Sequence, residues 1–187
     1  MNRETHFINL FAAISGLMIL ISCGEKKTTP SCCCTLPFKA EGSKFTYYAF
    51  AELDSAVVCA KKRNLNILVI FSGYAGMAIP NKEWETLDLY GDKKFIQNNY
   101  VIAWLPVDDK KPLDDTTQTV LIHGQTYYIT TEGRKYAMIQ RKLFNHNSQP
   151  LYGILNQNLE PVGKAIGYTK DKREVEAFIE SGLIRKQ

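Results

Sequence analysis

The chain has 187 residues and is 45% apolar, enough for one packed domain with appendages. Its formal charge of +4 is scattered. Lys61-Lys62-Arg63 reads as the last turn of a helix, where cations suit the macrodipole, and the cations from Lys170 to Arg173 sit among acids. Neither group makes the basic stripe of a nucleic-acid binder, so no nucleic-acid partner is expected.

Arg3 precedes an apolar stretch from Phe7 to Ile21, interrupted by Asn9, Ser15 and Gly16. The stretch is short for a membrane span and ends at small residues, as a targeting segment does. Its end, Leu20-Ile21-Ser22-Cys23, resembles the lipobox of bacterial lipoproteins. That resemblance implies a signal peptide over 1–22, cleavage before Cys23, and lipid on the sulfur and new amino group of Cys23. Several acyl chains at about 0.8 kcal/mol per buried methylene anchor a protein stably. An uncleaved signal anchor and a non-lipidated secretory peptide are the other readings. Gly24 follows the cysteine, which by analogy with lipoprotein sorting leans towards the outer membrane. Residues 23–44, with Gly24, Lys26-Lys27, Pro30 and Gly42-Ser43, then read as a flexible tether, and 45–187 as the folded domain.

A strand is expected near Phe45 to Tyr48, and a helix from Phe50 to Asn64 through Phe50, Leu53, Val57 and Ala60. Ile67 to Phe71 is a continuous apolar run, the pattern of a strand covered on both faces. It leads into Ser72-Gly73-Tyr74 and a helix started by Pro80 and continued from Lys82 to Leu89. Asp92 to Asn98 reads as a short helix and Tyr100 to Leu105 as a buried strand with Pro106 at its end. A loop with Asp108, Asp109, Asp114 and Asp115 follows, without the Gly and Glu of a calcium loop. Val120 to Ile129 predicts a hairpin turning near His123-Gly124, and Glu132 to Leu143 a helix packed through Tyr136, Ile139 and Leu143. Leu151 to Leu155 and Val162 to Ile166 read as strands, and Asp171 to Gly182 as a capped helix lined by Val175, Phe178, Ile179 and Leu183. The alternation predicts an α/β fold, a central sheet with helices on both faces. Gln149-Pro150, directly before a strand, is a candidate cis bond.

Between Ile67 and Ile184 stand Phe71-Ser72-Gly73-Tyr74, Glu83, Asn98-Asn99-Tyr100-Val101, Val107-Asp108-Asp109-Lys110-Lys111-Pro112-Leu113 and Asn147-Ser148-Gln149-Pro150-Leu151-Tyr152. With these stretches the chain resembles the thioredoxin-like domain at the C-terminus of DsbD-type thiol:disulfide interchange proteins. The resemblance implies a thioredoxin-like fold, a central mixed sheet with helices on both faces, and Pro150 as the cis-proline facing the active-site turn. The family's Gly-Tyr-x-Cys-x-x-Cys here reads Gly73-Tyr74-Ala75-Gly76-Met77-Ala78-Ile79, with Gly76 and Ile79 in the cysteine places. Without a thiolate there is no attack on a disulfide, so no catalytic residue, cofactor or metal is assigned.

The remaining cysteines leave alternatives open. Cys59, beside the apolar helix face, reads as a semi-buried structural thiol. Cys32, Cys33 and Cys34 are candidates for redox exchange, an interchain disulfide, soft-metal binding, further acylation, or no role. Adjacent cysteines pair badly with each other. His123 and His146 read as surface loop residues, His146 next to the Pro150 loop. Tyr74, Met77, Ile79 and Trp84 form either an apolar patch at the old active-site edge or ordinary packing. The leading expectation is an envelope lipoprotein, membrane-attached through lipid, that binds an envelope protein or peptide in a groove of Tyr74, Met77, Ile79, Gln149 and Pro150. The others are an enzyme relaying thiols through Cys32 to Cys34, and a purely structural lipoprotein.

Overall fold

The structure, a computed structural model, describes residues 37–41, 44–74, 82–113, 118–122 and 124–184. Its centre is strand β3 (Asn66–Ser72), in which every residue is buried. The unbroken run Ile67 to Phe71 makes this the only sensible place for it, because both faces of such a strand must be covered. β3 pairs in parallel with β4 (Tyr100–Pro106) and antiparallel with β7 (Leu151–Leu155). β2 (Thr46–Phe50) lies outside β4, β1 (Phe38–Glu41) outside β2, and β8 (Ile166–Gly167) outside β7, in the order β1-β2-β4-β3-β7-β8.

Alternate residues of the strands serve two separate cores. Leu68, Ile70, Ile102, Tyr152 and Ile154 face one side. There they meet Trp84 and Leu87 of α2 (Lys82–Asp88), Ile96 of α3 (Lys93–Asn99), and Val175, Phe178 and Ile179 of α5 (Lys172–Ser181). Ile67, Val69, Phe71, Val101, Ala103 and Leu105 face the other side. There they meet Leu53, Ala56, Cys59 and Ala60 of α1 (Leu53–Arg63) and Tyr136 of α4 (Glu132–Phe144). The period-2 alternation of a strand thus produces a three-layer α/β fold of thioredoxin-like topology: a mixed sheet with helices on both faces. A separate hairpin of β5 (Gln118–Ile122) and β6 (Gln125–Ile129) is inserted between β4 and α4.

Local chemistry sets the boundaries. Asp92, Thr131 and Asp171 each cap a helix by accepting from a backbone N–H, those of Phe95, Arg134 and Arg173 respectively. Lys61, Lys62 and Arg63 occupy the last turn of α1, which closes on Asn64 in the left-handed region at φ 51°. Asp88, buried at the end of α2, accepts from the Lys44 backbone N–H at 2.8 Å and the Tyr47 hydroxyl at 3.0 Å. Burial beside that carboxylate raises the Tyr47 pKa above the usual phenol range, so Tyr47 stays a neutral donor.

Several expectations are corrected. Phe38–Glu41, read as tether, is an antiparallel edge strand in register with β2, Phe38 opposite Ala49. Phe50 ends β2, opposite Ala103, and the helix begins only after an extended Glu52. The strand expected from Val162 to Ile166 shrinks to Ile166–Gly167. Pro161 offers no N–H to a ladder and forms only an isolated bridge with Leu155, and Gly163 turns away at φ 73°. Of the two readings left open for Trp84, ordinary packing holds: it is buried and stacked on Tyr47 with ring centroids 5.5 Å apart. Cys59, read as a semi-buried thiol, is fully buried and disulfide-bonded.

Asp88→Ala strands a buried phenol and a backbone N–H. It is expected to lower stability by about 2–3 kcal/mol, read as a fall in the urea midpoint. Loss of less than about 0.5 kcal/mol would show that this carboxylate does not hold β2 to α2.

Candidate functional site: the edge beside the cis proline

Parallel pairing brings the ends of β3 and β4 together, and antiparallel pairing brings the start of β7 to the same edge. Ser72 lies opposite Pro106, and Phe71 lies opposite Leu151, one residue after Pro150. Three chain segments therefore converge there: Gly73-Tyr74, Val107-Asp108-Asp109, and Ser148-Gln149-Pro150. The Gln149–Pro150 peptide is cis.

The Gly73-Tyr74 segment is held from below. Val107 N–H donates to the Ser72 carbonyl at 2.7 Å, continuing the ladder by one bond. Asp108 then turns its carboxylate under the segment, and Oδ1 accepts from Tyr74 N–H at 2.7 Å. A Cβ on Gly73 would stand 3.2 Å from Asp108 Oδ2, so glycine lets the carboxylate approach. The Asp108 loop is fixed in turn by α4: Gly133 N–H donates to the Asp109 carbonyl at 3.1 Å. A Cβ on Gly133 would fall 2.3 Å from the Asp109 nitrogen, a close approach only glycine permits.

Tyr74 is 45% exposed. Its ring meets Trp104 edge-on at 5.6 Å, and Phe38 meets Trp104 edge-on from elsewhere at 5.9 Å. Trp104 Nε1 donates to Glu83 Oε1 at 3.2 Å, while Tyr152 donates to the Glu83 carbonyl at 2.6 Å. Glu83 thereby ties the first turn of α2 to both β4 and β7. Partial burial, then the charges of Asp109 and Asp108, raise the Tyr74 pKa. Tyr74 consequently presents a neutral, amphipathic ring at neutral pH.

The proline loop is held by a buried amide. Gln140 of α4 is 1% exposed. Its Nε2 donates to the Ser148 carbonyl at 2.8 Å, and its Oε1 accepts from Gln149 Nε2 at 3.1 Å. Gln149 Nε2 also reaches the Asn147 carbonyl at 2.9 Å. His146 lies on the same exposed loop, its Nδ1 3.0 Å from the Ser148 hydroxyl. The loop is thus shaped from inside while Asn147, Ser148 and Gln149 remain exposed.

Of the residues singled out in the sequence, Tyr74, Gln149 and Pro150 come to this one edge. Gly76, Met77 and Ile79, with Pro80, lie outside the described residues, as do Cys23, Cys32, Cys33, Cys34, His123, Asp114 and Asp115. Sequence reasoning missed Asp108 as a support, Trp104 as the aromatic wall and Gln140 as the brace. Gln140 carried a readable signal: it lies four residues after Tyr136, a polar residue on the core-facing side of a helix. Among the described residues no three His, Cys, Asp or Glu side chains are grouped to hold a metal ion. Nor is any helix among them long and apolar enough to cross a membrane.

No family model matches the chain, and no curated protein matches it. Among solved structures it is similar to one titled DsbH oxidoreductase, at 11% identity and a TM-score of 0.43, over 84% of this chain and 94% of that one.

Gln140→Leu keeps the volume and removes both hydrogen bonds to the loop. Amide exchange at residues 146–149 is expected to speed up by about tenfold, the equivalent of 1.4 kcal/mol, with β3 exchange little changed. Unchanged loop protection would show that the cis-proline loop does not depend on this brace.

Proposed function

We propose that the protein is a lipid-anchored component of a bacterial cell envelope, at the outer membrane, whose thioredoxin-like domain binds an extended segment of another envelope protein without thiol chemistry. The observation that carries this reading is the exposed Ser148-Gln149 loop, braced by Gln140 and brought to the same edge as Tyr74, in a chain with no cysteine from Gly73 to Lys82. An extended segment laid along Ser148-Gln149-Pro150 has backbone groups to offer a sheet edge, as in strand addition. Tyr74 supplies an aromatic wall with a polar tip, a side chain well suited to contact surfaces because it buries much area with little loss of freedom. Met77 and Ile79 add apolar contact in this reading, and Met77 is soft enough to accept varied side chains. Cys23 is the anchoring residue, and residues before β1 hold the domain off the membrane.

The competing reading is a thiol:disulfide oxidoreductase working through Cys32, Cys33 and Cys34. The two differ in what they need. Holding a partner needs the groove, whereas exchange needs a thiolate and a resolving thiol.

A photo-crosslinking residue placed in the full-length protein at Tyr74 or Gln149, in its own envelope, is expected to yield a discrete adduct. The same residue at Glu176, on the outer side of α5, is expected to yield none. The full-length protein is also expected to show no insulin reduction above the uncatalysed rate. Adducts absent from both groove positions would end the binding reading, and turnover lost on Cys32→Ser/Cys33→Ser/Cys34→Ser would establish the enzymatic one.

A further inference from the structure

Cys59 sits in α1 with no exposed surface, among Phe50, Leu53, Ala56 and Val101, and it is disulfide-bonded. The chain has four other cysteines, Cys23, Cys32, Cys33 and Cys34, and all of them precede β1. β1 enters the sheet at Phe38, opposite Ala49, and α1 begins just beyond the end of that same strand β2. The arm therefore joins the fold at the end of the sheet from which α1 departs. Cys59 is six residues into the helix, about 9 Å along its axis. Cys34 is four residues before Phe38 and Cys32 is six, spans of up to about 14 and 22 Å when extended. All three reach.

We propose that Cys59 is bonded to the Cys32-Cys33-Cys34 cluster, so that the arm before β1 is stapled to α1 and the free tether ends at the cluster. Cys23 is the poorer partner: in the lipoprotein reading its sulfur carries lipid as a thioether and has no thiol to oxidise. Neighbouring cluster cysteines are poorer partners for one another, since adjacent residues fit relaxed disulfide geometry badly. Bond formation requires a protein disulfide of an oxidising compartment as acceptor. A cluster thiolate attacks that disulfide, expelling one acceptor thiolate. The Cys59 thiolate then attacks the cluster sulfur of the mixed disulfide and expels the second. The acceptor leaves as a dithiol, two electrons richer, and two cluster cysteines remain as thiols. Because Cys59 is fully buried in the folded domain, the second attack belongs to folding, before α1 closes on the sheet. This inference does not depend on the groove.

The test is a tryptic map of the full-length protein, extracted from its envelope in detergent and alkylated under denaturing conditions without reductant. Cleavage after Lys27, Lys39, Lys44 and Lys61 places the cluster in peptide 28–39 and Cys59 in peptide 45–61. The expected result is a linked 28–39/45–61 pair that vanishes on reduction, with Cys59 alkylated only after reduction. Reductant is also expected to lower the Tm of the wild-type protein by about 5 °C or more and to leave that of Cys59→Ala unchanged. Cys59 alkylated without reductant, linked to a peptide containing Cys23, or linked to Cys59 of a second copy would each overturn the proposal. So would a wild-type Tm indifferent to reductant.

Discussion

The burial of β3 on both faces is the constraint from which the rest follows. All seven of its residues are covered, so each edge must be paired and each face packed. The parallel partner β4 delivers Pro106 and the Asp108 loop to the end of β3, and the antiparallel partner β7 delivers Pro150 there. Three chain segments meet at that end because one strand is shared by neighbours running in opposite senses. No residue of that edge has to be placed by its own local preference.

What local chemistry adds is rigidity. The Gly73-Tyr74 segment rests on Asp108, the Asp108 loop rests on Gly133, and the proline loop rests on Gln140. Gly133 and Gln140 both belong to α4, so one helix braces two of the three segments that meet at the edge. Glu83 joins the third side through Trp104 and Tyr152. A surface held this way is pre-ordered, and in the proposed reading that lowers the conformational-entropy cost of binding. Partial burial and the charges of Asp109 and Asp108 raise the Tyr74 pKa, so its phenol is a neutral donor at neutral pH.

The sheet was legible in the sequence because its central strands are continuous apolar runs, and Ile67 to Phe71 and Leu151 to Leu155 admit few other readings. The dipeptide Gln149-Pro150 before a strand, with the family resemblance, marked the cis bond. Contacts across long sequence separations were not legible. Asp108 reads as one acid in a solvated loop until its partner 34 residues away is known. Trp84 reads equally as edge or packed until its partner Tyr47, 37 residues before it, is known. β1 is four residues long with polar neighbours, too short to carry a period of its own. The disulfide of Cys59 was hidden for a general reason: sequence gives the number of cysteines and not their connectivity.

In the proposed function, this edge recognises an extended segment through shape and hydrogen bonding alone. The most direct measurement is an NMR titration of the isotope-labelled protein with a synthetic peptide copied from the segment captured at the groove. Saturable shifts are predicted at Tyr74, Asp108 and Ser148 to Leu151, and they persist when the peptide contains no cysteine. Shifts confined to the β5–β6 hairpin, or binding that requires a cysteine in the peptide, would contradict the account.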